Sequence, residues 1–429
     1  MRPKSSKGKG CSERKHQIIA EDYYMEKKQS FLERRQQILF QEKLQEKMER
    51  EGLDALILTT PENIMYATGF LPWSYLGRSC GSSVAVVPAS GKAAVVCNQF
   101  EQRSAEQQTK GDVDVYSFPI AMYIEDYYDA EEAAKPPAPD PYKTFRIAFE
   151  LVKSQKDNPR VGVEKYEIPC TIYPFFVENF GEENLVNLSQ FICDIRRIKL
   201  PWEVDVMRYS AQVAEQMMNM TMKSTEIGMT EADLMKIWYQ AAYEVTGGHE
   251  ITMVNQVHTP GKDFSVSMLP RETPLAEGDI VRLDGGVSIY GYLSDLGRTY
   301  AVGATVSQRK QELFDTLLAA YDKLLEVIAP GVKMCDAFHA AMDVCRNGAI
   351  PNFVRGHFGH SLSIGPTAPD NPKIAPGCKE VFEPGMVLSF EVPYYSSENG
   401  SYGFEDTMVI TENGYELFTH INRSLFVPK

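Results

Sequence analysis

The stretch DIVRLDGGVSIYGYLSDLGRTYAVG, residues 279–303, decides the reading of the C-terminal half of the chain. Two runs rich in β-branched and aromatic residues flank a turn centred on Ile289 and Tyr290, so the segment reads as a β-hairpin. A turn centred there sets Asp284 opposite Asp295, with Cβ atoms ~4.5–5.5 Å apart. Like charges facing each other destabilise a sheet unless a cation lies between them.

A second segment repeats the arrangement. GMVLSFEVPYYSSENGSYGFEDTMVITENG, residues 385–414, turns around Glu398 to Gly400 and sets Glu391 opposite Glu405. Between the hairpins, VRGHFGHSLSIG at 354–365 carries His357 and His360 among glycines. A single strand carboxylate is ordinarily an edge or surface residue, and a lone histidine is ordinarily structural. Two opposed acid pairs with an imidazole between them are a different matter. Such a set makes a hard, oxygen-rich site suited to two divalent transition metal ions, Mn, Co, Fe or Zn, that activate water.

The rest of the chain surrounds this site with ordinary globular material. At 429 residues, and ~100–200 residues per domain, two or three domains are expected. A hydrophobic content of 43% with 24% charged residues excludes global disorder. The net charge of −14 argues against a nucleic-acid partner, which needs a basic stripe. No apolar run approaches the ~18–20 residues of a membrane span, and the basic start lacks a signal peptide's apolar core, so a cytoplasmic protein without a membrane partner is expected. Eight cysteines without a CxxC pair read as buried thiols.

Residues 1–20 read as a basic flexible tail, and Glu21 to Glu51 as a long helix stopped by Gly52. LDALILTT, SSVAVVPAS and KAAVVCN are short strand-like runs between turn residues, giving an α/β first half. The acidic and then proline-rich residues 123–141 form an exposed loop. The proline of IRRIKLPWEVDVMR opens a long helix and marks a boundary between a domain over 21–196 and one over 197–429. Further helices are expected over Glu231 to Val245 and Gln308 to Ile328.

The succession of Asp284, Asp295, the GH at 359–360, FE at 390–391 and FEDTMVITENGYE at 404–416 resembles the creatinase, prolidase and aminopeptidase P family. IRRIKLPWEVDVMR resembles that family's domain junction and ENIMYATGF its N-terminal domain, so the likeness spans roughly residues 30–425. The resemblance implies a mixed α/β (α+β) architecture, a creatinase-like N-terminal domain followed by a pita-bread domain. It further implies Asp284, Asp295, His360, Glu391 and Glu405 as metal ligands, Glu391 as the catalytic proton carrier, and a homodimer. In the family, the N-terminal domain of one chain sits beside the other chain's site, and the apolar run GFLPWSYLG at 69–77 is placed to reach across.

The sequence also departs from the family. Where family peptidases carry a substrate-binding histidine before the first ligand Asp, this chain has Ser267, and His258 is the nearest replacement. A second family histidine is replaced within SIGPTAP, where Thr367 and Ala368 stand. The prolidase arginine that meets the substrate carboxylate corresponds here to Gly403. Arg271 and Arg355 are candidate substrate clamps, Arg298 is a clamp or a structural residue, and Tyr394 leads a group of hairpin tyrosines suited to a cationic group. The leading expectation is metal-dependent hydrolysis of a C–N bond in a short peptide, of the Xaa-Pro type, or in a small non-peptide relative. The alternatives are a lyase resembling the family's dimethylsulfoniopropionate lyase and a non-catalytic binding protein.

Overall fold

The computed structural model describes residues 31, 33–77, 81–120, 140–246, 252–258, 270–365 and 370–427, with the side chains of 252–258 and 370 outside the description. Residues 1–20, almost all of 123–141, Ser267, Thr367 and Ala368 therefore lie outside the described residues. The chain divides into two compact units, Gln36–Arg196 and the described residues from Arg197 onward, the second taking in the described residues 31 and 33–35. Among the described residues no helix is long and apolar enough to cross a membrane. Cys97 and Cys345 are buried thiols, but Cys170 is exposed, against the expectation of uniformly buried cysteines.

Among the described residues the first unit is built on six strands: β1 (Ala55–Leu58), β2 (Val84–Pro88), β3 (Ala94–Asn98), β4 (Asp114–Phe118), β5 (Val161–Val163) and β6 (Leu185–Asn187). Their order is β4-β3-β2-β1-β5-β6, with β1 antiparallel to β2 and parallel to β5. The helix Gln37–Glu51 ends where expected, at Gly52 in the left-handed conformation (φ 66°). One sheet face is closed by Phe145 and Phe149 of the helix Lys143–Lys153 and by Phe176 and Phe180, their rings mostly edge-on to Phe149. Glu164, buried just after β5, binds the start of the helix Pro61–Thr68. It accepts from the Thr59 and Thr60 amides, from both threonine hydroxyls, and from Asn63 Nδ2 at 2.6 Å. A carboxylate at a helix N-terminus satisfies donors that the helix itself leaves open.

The second unit carries β7 (Thr252–His258), β8 (Ile280–Ile289), β9 (Tyr292–Leu293), β10 (Leu296–Ala301), β11 (Gly359–Ser361), β12 (Asp370–Lys373), β13 (Val387–Glu391), β14 (Tyr394–Ser396), β15 (Gly400–Tyr402), β16 (Glu405–Thr411) and β17 (Gly414–Leu417). The main sheet runs β12-β11-β13-β16-β10-β8-β7, with β17 on β16 and β9 on β8, and β14 and β15 form a separate ribbon. The helix Gln308–Val327 starts at Ser307, whose hydroxyl caps the Lys310 amide. Its Leu313, Leu317, Tyr321 and Leu324, one stripe at helical spacing, pack with Phe338 and Ala341 of the helix Met334–Asn347 onto Phe390 and Met408 of the sheet.

The two halves of this sheet meet at a seam, where β10 and β16 share a single register pair, Gly297 with Glu405. No side chain fits at 297, because a Cβ there would lie 2.9 Å from the Glu405 Cβ. What the ladder lacks, Arg298 supplies. Its Nη1 donates to the Glu405 carbonyl at 2.7 Å, and its Nη2 reaches both Asp406 carboxylate oxygens at 2.8 and 2.9 Å. Asp406 also accepts from the Tyr321 hydroxyl and, at 2.7 Å, from the Thr419 hydroxyl. Arg298 and Asp406 are each 1% exposed, so the structural reading of Arg298 holds and it is no substrate clamp. Removing one partner of such a pair leaves a buried charge uncompensated. Arg298→Met should therefore destabilise the second unit by about 3–5 kcal/mol in denaturant unfolding. A loss below ~1 kcal/mol, the range of an exposed pair, would show that the seam does not depend on it.

Candidate metal centre

Antiparallel register sets residues in rows across the sheet, and every residue of a row lies on one face. One row runs Glu391, Glu405, Gly297, Asp284 and Gln256 across β13, β16, β10, β8 and β7. The neighbouring row runs His360, Ser389 and Thr407 across β11, β13 and β16. Asp295 extends it, since its amide donates to the Thr407 hydroxyl, which in turn donates to the Asp295 carbonyl at 2.9 Å. Two adjacent rows thus gather all five sequence-predicted metal ligands on one face.

The expected opposition of Glu391 and Glu405 is found. That of Asp284 and Asp295 is not: Asp284 faces Gly297, two residues further along β10. The turn lies at Tyr290 and Gly291, both at positive φ (53° and 81°), one residue later than the sequence suggests. Moving a turn centre by one residue moves the register by two, which keeps both acids on the same face.

Among the described residues, Asp295, His360 and Glu405 each offer a ligand atom within 4.8 Å of the others. Gly359 brings His360 in, because its φ of +145° and the Ser389 carbonyl, 2.5 Å from where a Cβ would sit, exclude a side chain. His360 Nε2 lies 3.8 Å from Asp295 Oδ2, and Ser389 Oγ donates to Glu405 Oε1 at 2.6 Å. Burial, then repulsion from the neighbouring acids, raises the carboxyl groups of Asp295 and Glu405 well above the usual carboxylate range. Burial lowers the His360 imidazole despite the pull of Glu391. An imidazole beside crowded carboxylates is a donor set suited to a cation. The three residues fit a divalent ion with mixed nitrogen and oxygen preference.

The other two acids are each held by an arginine. Arg282 Nη2 donates to Asp284, and Arg355 Nη2 donates to Glu391 at 2.6 Å. His357 Nδ1 lies 3.2 Å from the same Glu391 oxygen, and burial pushes its imidazole down to about 4.

The candidate substrate residues fare differently. Arg355 reaches the centre, with about a fifth of its side chain exposed. Arg271 is committed elsewhere, in a buried pair with Glu231 at 2.6 Å, so its placement as a substrate clamp is corrected. Tyr394 packs its ring against Tyr402 and the hydrophobic core, while its neighbour Tyr395 faces the centre with Arg282 over its ring at 5.4 Å. Alternation along a strand makes that exchange, since adjacent side chains take opposite faces. His258 lies opposite Arg282 in register, and its side chain is outside the described residues. Sequence reasoning passed over Arg282 and Ser389. A charged residue inside the apolar run of β8, two positions before Asp284, was the signal for the first.

The chain matches known proteins along almost its whole length. Residues 41–198 match the Creatinase/Prolidase N-terminal domain, and residues 205–412 match Metallopeptidase family M24. An uncharacterized peptidase of Bacillus subtilis is 25% identical over 391 residues, covering 90% of this chain and 99% of its own. One of Staphylococcus haemolyticus is 24% identical over 384 residues, covering 89% and 99%. Among solved structures, the prolidase of Pyrococcus horikoshii superposes with a TM-score of 0.73 at 18% identity, covering 90% of this chain and 99% of that one. The X-Pro aminopeptidase of Thermotoga maritima gives the same values. With its creatinase-like N-terminal domain and pita-bread C-terminal domain, the chain belongs to the creatinase, prolidase and aminopeptidase P family of metallopeptidases.

Proposed function

We propose that this protein is a metal-dependent hydrolase that cleaves a C–N bond in short peptides, of the Xaa-Pro type, with Asp295, His360 and Glu405 holding the metal. The observation that carries the reading is the convergence of those three donors within 4.8 Å, on one face of a sheet whose seam fixes their register. A divalent ion there supplies Lewis acidity and makes water a nucleophile near neutral pH. Glu391 accepts the proton from the attacking water and delivers it to the leaving nitrogen. Arg355 Nη2 holds the Glu391 carboxylate in place for this. The peptidase descriptions of the relatives support hydrolysis over the lyase alternative, and the complete donor set supports an enzyme over a binding protein.

Asp295→Asn keeps the shape of the ligand and removes its charge. Metal content, read by elemental analysis, should fall together with activity in this variant, and unchanged metal would remove the assignment. Ser389→Ala withdraws the hydrogen bond that orients Glu405 and should weaken metal binding about 10- to 100-fold.

Substrate length is set by Gly403, which offers no side chain to a dipeptide's C-terminal carboxylate. Loss of one charged hydrogen bond costs about 1.5–3 kcal/mol, or roughly ten- to a hundredfold. Xaa-Pro dipeptides should accordingly be turned over that much less efficiently than longer Xaa-Pro peptides by the metal-loaded enzyme. A kcat/KM on dipeptides near ~10⁴ M⁻¹s⁻¹ or above would contradict this.

The partner we propose is a second copy of the chain. Trp73 is 69% exposed and stacks edge-on with Phe100, itself 53% exposed, a pair of aromatic surfaces suited to a protein contact. Light scattering should give a dimer at micromolar concentration for the native chain and a monomer for Trp73→Glu; a monomeric native protein would refute it.

A further inference from the structure

Arg282 stands in the row next to Asp284 and Glu405, opposite Thr299, which exchanges hydrogen bonds with Gly403. The residue is 2% exposed. Its Nη2 is engaged by Asp284, and among the described residues neither Nε nor Nη1 has a hydrogen-bond partner. Its guanidinium lies over the Tyr395 ring and occupies space that a side chain at 403 would need, since a Cβ there would be 2.5 Å from Arg282 Nε.

A fixed cation on Asp284 competes with a metal for that carboxylate. Arg355 does the same for Glu391. Four carboxylates and two guanidinium groups leave the centre two negative charges, which one divalent ion neutralises. A second would leave excess positive charge in a buried site, where charge imbalance is costly. We propose that the centre binds a single divalent ion on Asp295, His360 and Glu405, and that the Arg282 guanidinium takes the place of a second ion against Asp284. This revises the pair of ions expected from the sequence, and it rests on reading the cluster as a metal centre.

The test is metal stoichiometry. The metal-stripped full chain is titrated with Mn²⁺ and with Zn²⁺ by calorimetry, and retained metal is counted by elemental analysis after gel filtration. The native chain should take up one equivalent and Arg282→Met two. Asp284→Asn should still retain one. Two equivalents in the native chain would overturn the proposal and leave the metal centre standing, as would any count other than two in an Arg282→Met variant that melts cooperatively. If Arg282→Met does not fold, Asp284→Asn decides: retention of the ion supports the proposal and its loss overturns it. No bound metal in the native chain would overturn both this proposal and the metal-centre reading.

Discussion

The buried pair of Arg298 and Asp406 is the constraint on which the site geometry depends. The candidate metal face draws Asp284 and Asp295 from one half of a sheet and His360, Glu391 and Glu405 from the other, and the halves share one ladder pair. A seam with so little backbone pairing is weakly specified in register. Arg298 fixes it from behind, holding the Glu405 carbonyl and the Asp406 carboxylate at once, while Tyr321 and Thr419 satisfy the remaining oxygen positions of Asp406. Glu405 and Asp406 are adjacent and take opposite faces, so anchoring one from the core presents the other to the site.

The front of the same strands illustrates the opposite electrostatic condition. Behind the sheet Arg298 and Asp406 pair with each other; in front, the half-buried Asp295 and the buried Glu405 lie beside other acids, and their carboxyl groups are pushed towards the protonated state. Hydroxyls carry much of the organisation there. Ser389 and Thr407 bond to Glu405 and to the Asp295 backbone, positioning ligands without adding charge. Short polar side chains in a buried strand row mark a face built to hold something between its acids.

How much of this was legible depends on how local the signal is. The Glu391 and Glu405 register could be read by counting from the turn around Glu398 to Gly400, and the acids of the first hairpin kept their shared face although the turn fell one residue later, at Tyr290 and Gly291. The Gly52 helix stop and the helix starting at Gln308 are equally local, fixed by a left-handed cap and a serine cap. Arg271 was misjudged because its partner Glu231 lies 40 residues away on a helix, a distance over which sequence spacing carries no contact information. Tyr394 was confused with Tyr395 because a run of two tyrosines does not say which one faces inward. Arg282 could have been found, since an arginine in an otherwise apolar central strand requires an anionic partner on its own face.

The clearance between Gly403 and Arg282 couples two positions that lie far apart in the chain. A side chain at 403 and the present course of Arg282 exclude one another. Anyone grafting a side chain onto position 403 must shorten or redirect residue 282 in the same step, whereas shortening residue 282 alone meets no such clash.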